Sequence, residues 1–307
     1  MKTKILLVAV SSFIIHHSSF GQGALTPPGA PALTMKTLAQ IEPRTPISSV
    51  PFTISSSGSY YLTTNLTVSS GNAITIATNG VTLDLAGFTI IGTAPSATGY
   101  AIFLNSGLSD LTIFNGHIRG GVTNNGSGVY SGSGFAYGIY APFNNPVNTR
   151  VSGVSVSGCL IAGINLGYGD STAVEACTVR TVGSFGISAT TVKGCAVADS
   201  GNYAIQGNQV SDCLGASVGG AIGIVATTAQ NCVGSSGSGG TGINAITAQN
   251  CSGSSTGSGT GLNATIALNC FGSTTTGTGL NAFIANSCHG VSGSGTPLTT
   301  THNVNSF

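Results

Sequence analysis

Cysteine returns at positions 159, 177, 195, 213, 232, 251, 270 and 288 of this 307-residue chain, at nearly constant intervals, and occurs nowhere else. A fixed period of about 20 residues marks a solenoid, in which each repeat buries its apolar side chains only by stacking on the next. The repeat is close to literal in GINAITAQNC, GLNATIALNC and GLNAFIANSC, which end at Cys251, Cys270 and Cys288.

Aligned on the cysteine, the repeat shows which positions face inward. Eight residues before it stand Ile187, Ile205, Ile224, Ile243, Leu262 and Leu280, and three before it stand Val156, Val174, Val192, Val210, Ala229, Ala248, Ala267 and Ala285. Two before it the side chain is mostly polar, as in Glu175, Lys193, Gln230 and Gln249, which suits an outward position. If the slot three before and the cysteine both face in, the alternation of a strand breaks between them, and the chain bends there. The residue at the break is Gly158, Gly194, Asn231, Asn250 or Asn269 in most coils. Gly and Asn tolerate the left-handed conformation of a sharp bend, and stacked Asn amides can bond from coil to coil. Runs such as GSSGSGGT (234–241) close each coil as an exposed turn.

A helical solenoid is excluded by 47 glycines, each costing a helix about 1 kcal/mol. The fold expected is all-β, a parallel β-helix, with coils about 4.8 Å apart. Inward slots at uneven steps argue against the left-handed hexapeptide type, and the absence of Asp between 213 and 307 argues against the calcium-binding nonapeptide type. The expected coil is right-handed.

In chain order, residues 1–23 read as a secretory signal peptide: Lys2 and Lys4, an apolar stretch from Ile5 to Ile15, then Ser19 and Gly21. No stretch after it has the ~20 apolar residues of a membrane-spanning helix. Residues 24–51 are Pro-rich and read as linker and cap, with Thr34 opening a short helix that presents Met35, Leu38 and Ile41 before Pro43. The β-helix is expected over 52–290 and a flexible tail over 291–307. In the same frame Leu85 and Ile113 take the slot three before the cysteine, and Phe88 and Gly116 take the cysteine slot itself. The long step from 116 to 159 then sends residues near 121–149 out as a lateral loop carrying Tyr130, Phe135, Tyr137, Tyr140 and Phe143. Long loops on repeat scaffolds are where binding concentrates.

With VTLDLAGFTIIG, LTIFNGHIRG and the APALTMKTLAQIEPRTPIS segment in hand, the chain resembles secreted bacterial right-handed parallel β-helix proteins of the pectin-lyase-like superfold. That resemblance implies polysaccharide lyases and hydrolases, epimerases, tailspikes or non-catalytic adhesins. The polygalacturonase pattern of an adjacent aspartate pair, Gly-His-Gly and Arg-x-Lys is represented only by Asn115-Gly116-His117-Ile118-Arg119. The carboxylate cluster of the calcium-dependent lyases is not matched either, because Glu42, Asp84, Asp110, Asp170, Glu175, Asp199 and Asp212 are scattered over different slots.

The function expected is therefore a secreted non-catalytic protein, structural or glycan-binding, through Tyr130, Phe135, Tyr137 and Tyr140. The alternative is a polysaccharide lyase or hydrolase with His117, Arg119 and Arg180 as its catalytic candidates, the two arginines two coils apart on one line. Charged residues are 5% of the chain and the net charge is +1, which disfavours nucleic acid as a partner. No cofactor and no metal are expected. A line of cysteines lacks the convergent spacing of a zinc site, and rung spacing is long for disulfides, so the cysteines read as buried thiols. Glu175 and Lys193, in one outward slot, are expected to pair across coils. Asn65-Leu66-Thr67 matches a glycosylation acceptor, and outward Thr191, Thr228 and Thr247 make an interrupted threonine line.

Overall fold

The computed structural model describes residues 43–142, 146–167 and 171–307. The signal peptide and the lid expected around Thr34 to Ile41 lie outside the described residues. Every regular element among the described residues is a strand. Parallel strands stack as a β-solenoid of about 13 turns, 28 of them in one continuous sheet.

Among the inward columns of the core are three that run nearly the length of the solenoid. One runs Phe52, Ile74, Ile102, Ile139, Ile164, Ile187, Ile205, Ile224, Ile243, Leu262, Leu280 and Leu298, each paired with the next. The second steps down in size, from Tyr60, Leu83 and Ile113 through four valines to Ala229, Ala248, Ala267 and Ala285. The third falls further, from Leu66, Ile90 and Ile118 through Val156, Val179 and Val197 to Gly215, Gly234, Gly253, Gly272 and Gly290. The later coils are thin enough for opposite walls to touch through backbone. A Cβ on Gly253 would lie 2.2 Å from the Gly261 carbonyl oxygen, and one on Gly242 2.3 Å from the Ser254 nitrogen.

The bend is where the cysteine frame places it. Asn231, Asn250 and Asn269 have φ of 53°, 52° and 52°. Asn250 Nδ2 donates to Asn231 Oδ1 at 3.2 Å and Asn269 Nδ2 to Asn250 Oδ1 at 3.4 Å. All eight cysteines are free and buried.

Several expected placements change. Cys159 is not in the cysteine column: Val151 and Val174 are partners, while Cys159 lies opposite Val182. The coil from Val154 to Cys177 is longer than its successors, so the position one standard period before Cys177 falls past the slot, and Val154 takes it. Leu85 is not beside Ile113, which faces Leu83. The corner after Asp84 carries Leu85, Ala86 and Gly87 where the next coil has only Asn115. Leu85 is fully buried and fills the space over Gly116, whose Cβ would sit 2.3 Å from that of Leu85. Strands also reach into the segments assigned to cap and tail, since Thr45–Ile47 pairs with the Gly58–Leu62 strand and Thr296–Val304 with Thr278–Asn286. Glu175 and Lys193 are register partners, but the carboxylate bonds to Arg150 at 2.7 Å. Arg150 is fixed between Thr112 and Ala173 on the neighbouring outward line, within diagonal reach.

Candidate functional site

The lateral excursion is shorter than its sequence suggests, and this redistributes the aromatic residues. Among the described residues, the strands outside the main sheet are Gly121–Asn124 and Tyr130–Ser133, paired as an antiparallel hairpin. Tyr137–Tyr140 is back in the solenoid, between Tyr100–Leu104 and Ala162–Asn165. The four rings expected to line one binding loop therefore stand in three settings.

Tyr130 fastens the hairpin down. Its hydroxyl donates to Asp199 Oδ1 at 2.7 Å, and Asn124 Nδ2 donates to the same oxygen at 2.6 Å. Its side chain lies over the glycines of two successive coils, where a Cβ would come within 3.2 Å at Gly183 and 2.9 Å at Gly201. Burial first, then the bond to Asp199 and its charge, push the phenol far above its ordinary value. Partial burial works to raise the Asp199 carboxyl, but bonds from Asn124, Tyr130 and Thr181, with the Arg180 charge, outweigh it and hold the group below the ordinary carboxylate value. Phe135 is 1% exposed and packs against Gly92 as core.

Tyr137 and Tyr140, both half-buried, stand on the solenoid wall with Tyr100 and Phe103, which lie outside the expected loop. In register, Tyr137 faces Tyr100 and Tyr140 faces Phe103, while Ile102 and Ile139 between them point inward and are fully buried. The four half-buried rings make a shelf on the solenoid wall. Tyr100 and Tyr140 are stacked at 5.1 Å and 8°, Tyr137 and Tyr140 approach to 4.4 Å, and Tyr100 and Phe103 to 4.8 Å. Burial, with the neighbouring Tyr140 and Tyr100, raises the Tyr137 phenol above its ordinary value, and burial with Tyr100 does the same for Tyr140. Both hydroxyls therefore stay protonated donors at neutral pH. One coil beyond, Ala162 follows Tyr137 in the column, and Phe185 follows Ala162, edge-on to Tyr203 at 5.7 Å. A sequence signal for the shelf exists: Tyr-Ala-Ile-Phe at 100–103 and Tyr-Gly-Ile-Tyr at 137–140 share one spacing.

The catalytic candidates do come together. Arg119, Ser157 and Arg180 occupy one outward column, and His117, Ser155 and Thr178 the column two residues before it. His117, Arg119 and Arg180 are all exposed. Among the described residues, no carboxylate lies within ion-pair distance of Arg119, Arg180 or His117; Asp199, near Arg180, has one oxygen taken by Asn124 and Tyr130. Asn65 Oδ1 accepts the Thr89 amide at 2.9 Å. No helix is long and apolar enough to cross a membrane among the described residues.

No protein-family model, curated protein or solved structure matches this chain.

Proposed function

We propose that this chain is a secreted, non-catalytic solenoid that binds carbohydrate on the shelf of Tyr100, Phe103, Tyr137 and Tyr140. The observation that carries this reading is four half-buried rings grouped on one wall of a chain with 12 Phe, 8 Tyr and no Trp. Pyranose rings present apolar C–H faces that stack on such surfaces, and tyrosine adds a hydroxyl for the sugar oxygens. Export rests on the leader-like segment 1–23, and kinship with the pectin-lyase-like superfold on the motifs quoted above, with which a parallel solenoid agrees. Glycan-array binding tests the proposal. Tyr137→Ala and Tyr140→Ala should each weaken binding at least about tenfold, or about 1.4 kcal/mol, while replacing hairpin residues 122–132 by a short glycine linker leaves it intact. Binding that follows the hairpin instead of the shelf would refute it.

A second reading, a polysaccharide lyase or hydrolase of unfamiliar type, is favoured only by the shared column of Arg119 and Arg180. New unsaturated or reducing ends that vanish in His117→Ala and Arg180→Ala would establish it in place of the first.

A further inference from the structure

A furrow of about 490 Å³ runs along the asparagine bend, and one of its lips is a column of larger side chains. Leu214, Val233, Ser252, Phe271 and His289 follow one another in register down that column. Leu214, Val233 and Phe271 are 49%, 47% and 40% exposed, and the Phe271 and His289 rings lie 5.7 Å apart, centre to centre. The strands that carry this lip are backed by main chain of the opposite wall: a Cβ on Gly272, next to Phe271, would lie 2.2 Å from the Gly279 carbonyl oxygen. The lip is therefore fixed before any ligand arrives, which lowers the ordering cost of binding.

The other lip is polar. Asn231, Asn250 and Asn269 line the furrow and are exposed. A carboxamide has two N–H donors and two oxygen lone pairs, and Asn250 uses one of each on its neighbours in the column. One N–H and one lone pair remain to it. From Val233 to His289 the apolar lip descends three rungs, about 14 Å, and the amides recur at the same steps. A hydroxyl both donates and accepts, and a pyranose ring has an apolar C–H face that lies on aromatic and aliphatic surface. A short run of sugar rings therefore meets both lips at once.

Charge and area narrow the occupant. Residues 213–307 contain no Asp, Glu, Lys or Arg, so an acidic polymer finds no counter-charge along the furrow and loses hydration uncompensated. A neutral one does not. A strip about 14 Å long and two outward columns wide covers on the order of 150 Å², against about 800 Å² a side in a stable protein interface, which is too little to hold a second copy of the chain. An acyl chain would cover the apolar lip but strip water from the asparagine amides without replacing their hydrogen bonds.

We propose that this furrow is a second carbohydrate site, for neutral polysaccharide, so that one solenoid joins two polysaccharide chains. The inference rests on the reading of the protein as carbohydrate-binding. From Tyr140 on the shelf to Asn263, whose strand leads into the bend at Asn269, the outward column descends six rungs, about 29 Å, so a trisaccharide reaches one site or the other. Cellotriose and the N-acetylglucosamine trimer are the probes, with trigalacturonate as their acidic counterpart, each titrated calorimetrically into the full-length chain. Two molecules of a neutral trisaccharide per chain are expected. The double variant Tyr137→Ala, Tyr140→Ala should keep one, and in that background Phe271→Ala, or Asn250→Gly, which preserves the bend, should weaken it at least about tenfold; circular dichroism confirms the fold of each. A single trisaccharide per chain, lost with the shelf and indifferent to Phe271→Ala, overturns this inference and leaves the shelf reading standing. A single one lost with Phe271→Ala and indifferent to the shelf overturns the two-site claim and the shelf together, as does failure of both neutral probes to bind. Trigalacturonate bound in the furrow, or a dimer formed without sugar and dispersed by Phe271→Ala, assigns the furrow to another occupant and overturns the proposal.

Discussion

At the scale of single residues, the bend column shows how backbone conformation and side-chain chemistry are met together. Asn250 holds φ at 52° and both donates to Asn231 and accepts from Asn269. Asn250→Gly keeps the conformation and loses only the amide bonds, so it should cost about 1 kcal/mol. Asn250→Val adds a β-branched side chain in the left-handed region and should cost a further 1–3 kcal/mol or so; equal urea midpoints for the two variants would contradict this. A second column carries buried hydroxyls that cap the turns: Thr274 Oγ1 donates to the Gly257 and Gly259 carbonyls at 2.9 Å, and Ser292 Oγ donates to that of Gly277 at 3.0 Å. Ser255 sits in that column between Ser236 and Thr274, with its Oγ buried and unpartnered. Since an unmet buried hydroxyl carries a desolvation cost of about 1–3 kcal/mol, Ser255→Ala should raise the melting temperature, whereas Thr274→Val should lower it.

At the scale of elements, the hairpin is a strap fastened by one carboxylate. The folded-state value of Asp199 is depressed, so its contribution is present above the unfolded carboxylate value, about 3.9, and is lost as pH falls through the lower folded value. Tyr130 is raised, so its contribution is complete below the unfolded phenol value, about 10, and is lost only at still higher pH. Hydrogen exchange of Gly121–Asn124 and Tyr130–Ser133 should therefore be slow between those limits, and should accelerate in acid relative to the adjoining coils after correction for intrinsic rates. Tyr130→Phe should remove much of that acid dependence; an unchanged profile would place the fastening elsewhere. The hairpin also explains why the aromatic site is only partly legible in the sequence. The step from Gly116 to Cys159 reads as one long loop, but Tyr137–Tyr140 has the inward isoleucine and outward ring of a coil strand, and only pairing to Tyr100–Leu104 makes a shelf of it.

At the scale of the whole molecule, the core thins along the axis. The second column falls from isoleucine to alanine and the third from isoleucine to glycine between Ile113 or Ile118 and the last coils, and each lost methylene forgoes about 0.8 kcal/mol of burial. In a solenoid, stability is close to a sum of coil and neighbour contributions. Amide protection should therefore decline from the coils around Ile113 toward Thr296–Val304, and flat protection along the axis would contradict the gradient. The sequence by itself determined the period, the all-β class, the inward aliphatic lines and the asparagine bend, because each is written within one coil and repeated in the next. It also carried Arg119 and Arg180 onto one line. Tertiary structure decided what depends on coils of unequal length: that Cys159 leaves the cysteine column, that Leu85 covers Gly116, that Glu175 meets Arg150, and that Tyr100 and Phe103 join Tyr137 and Tyr140. An insertion shifts every later residue in number but not in space, and where the extra residues go is settled only by packing against the neighbouring coils.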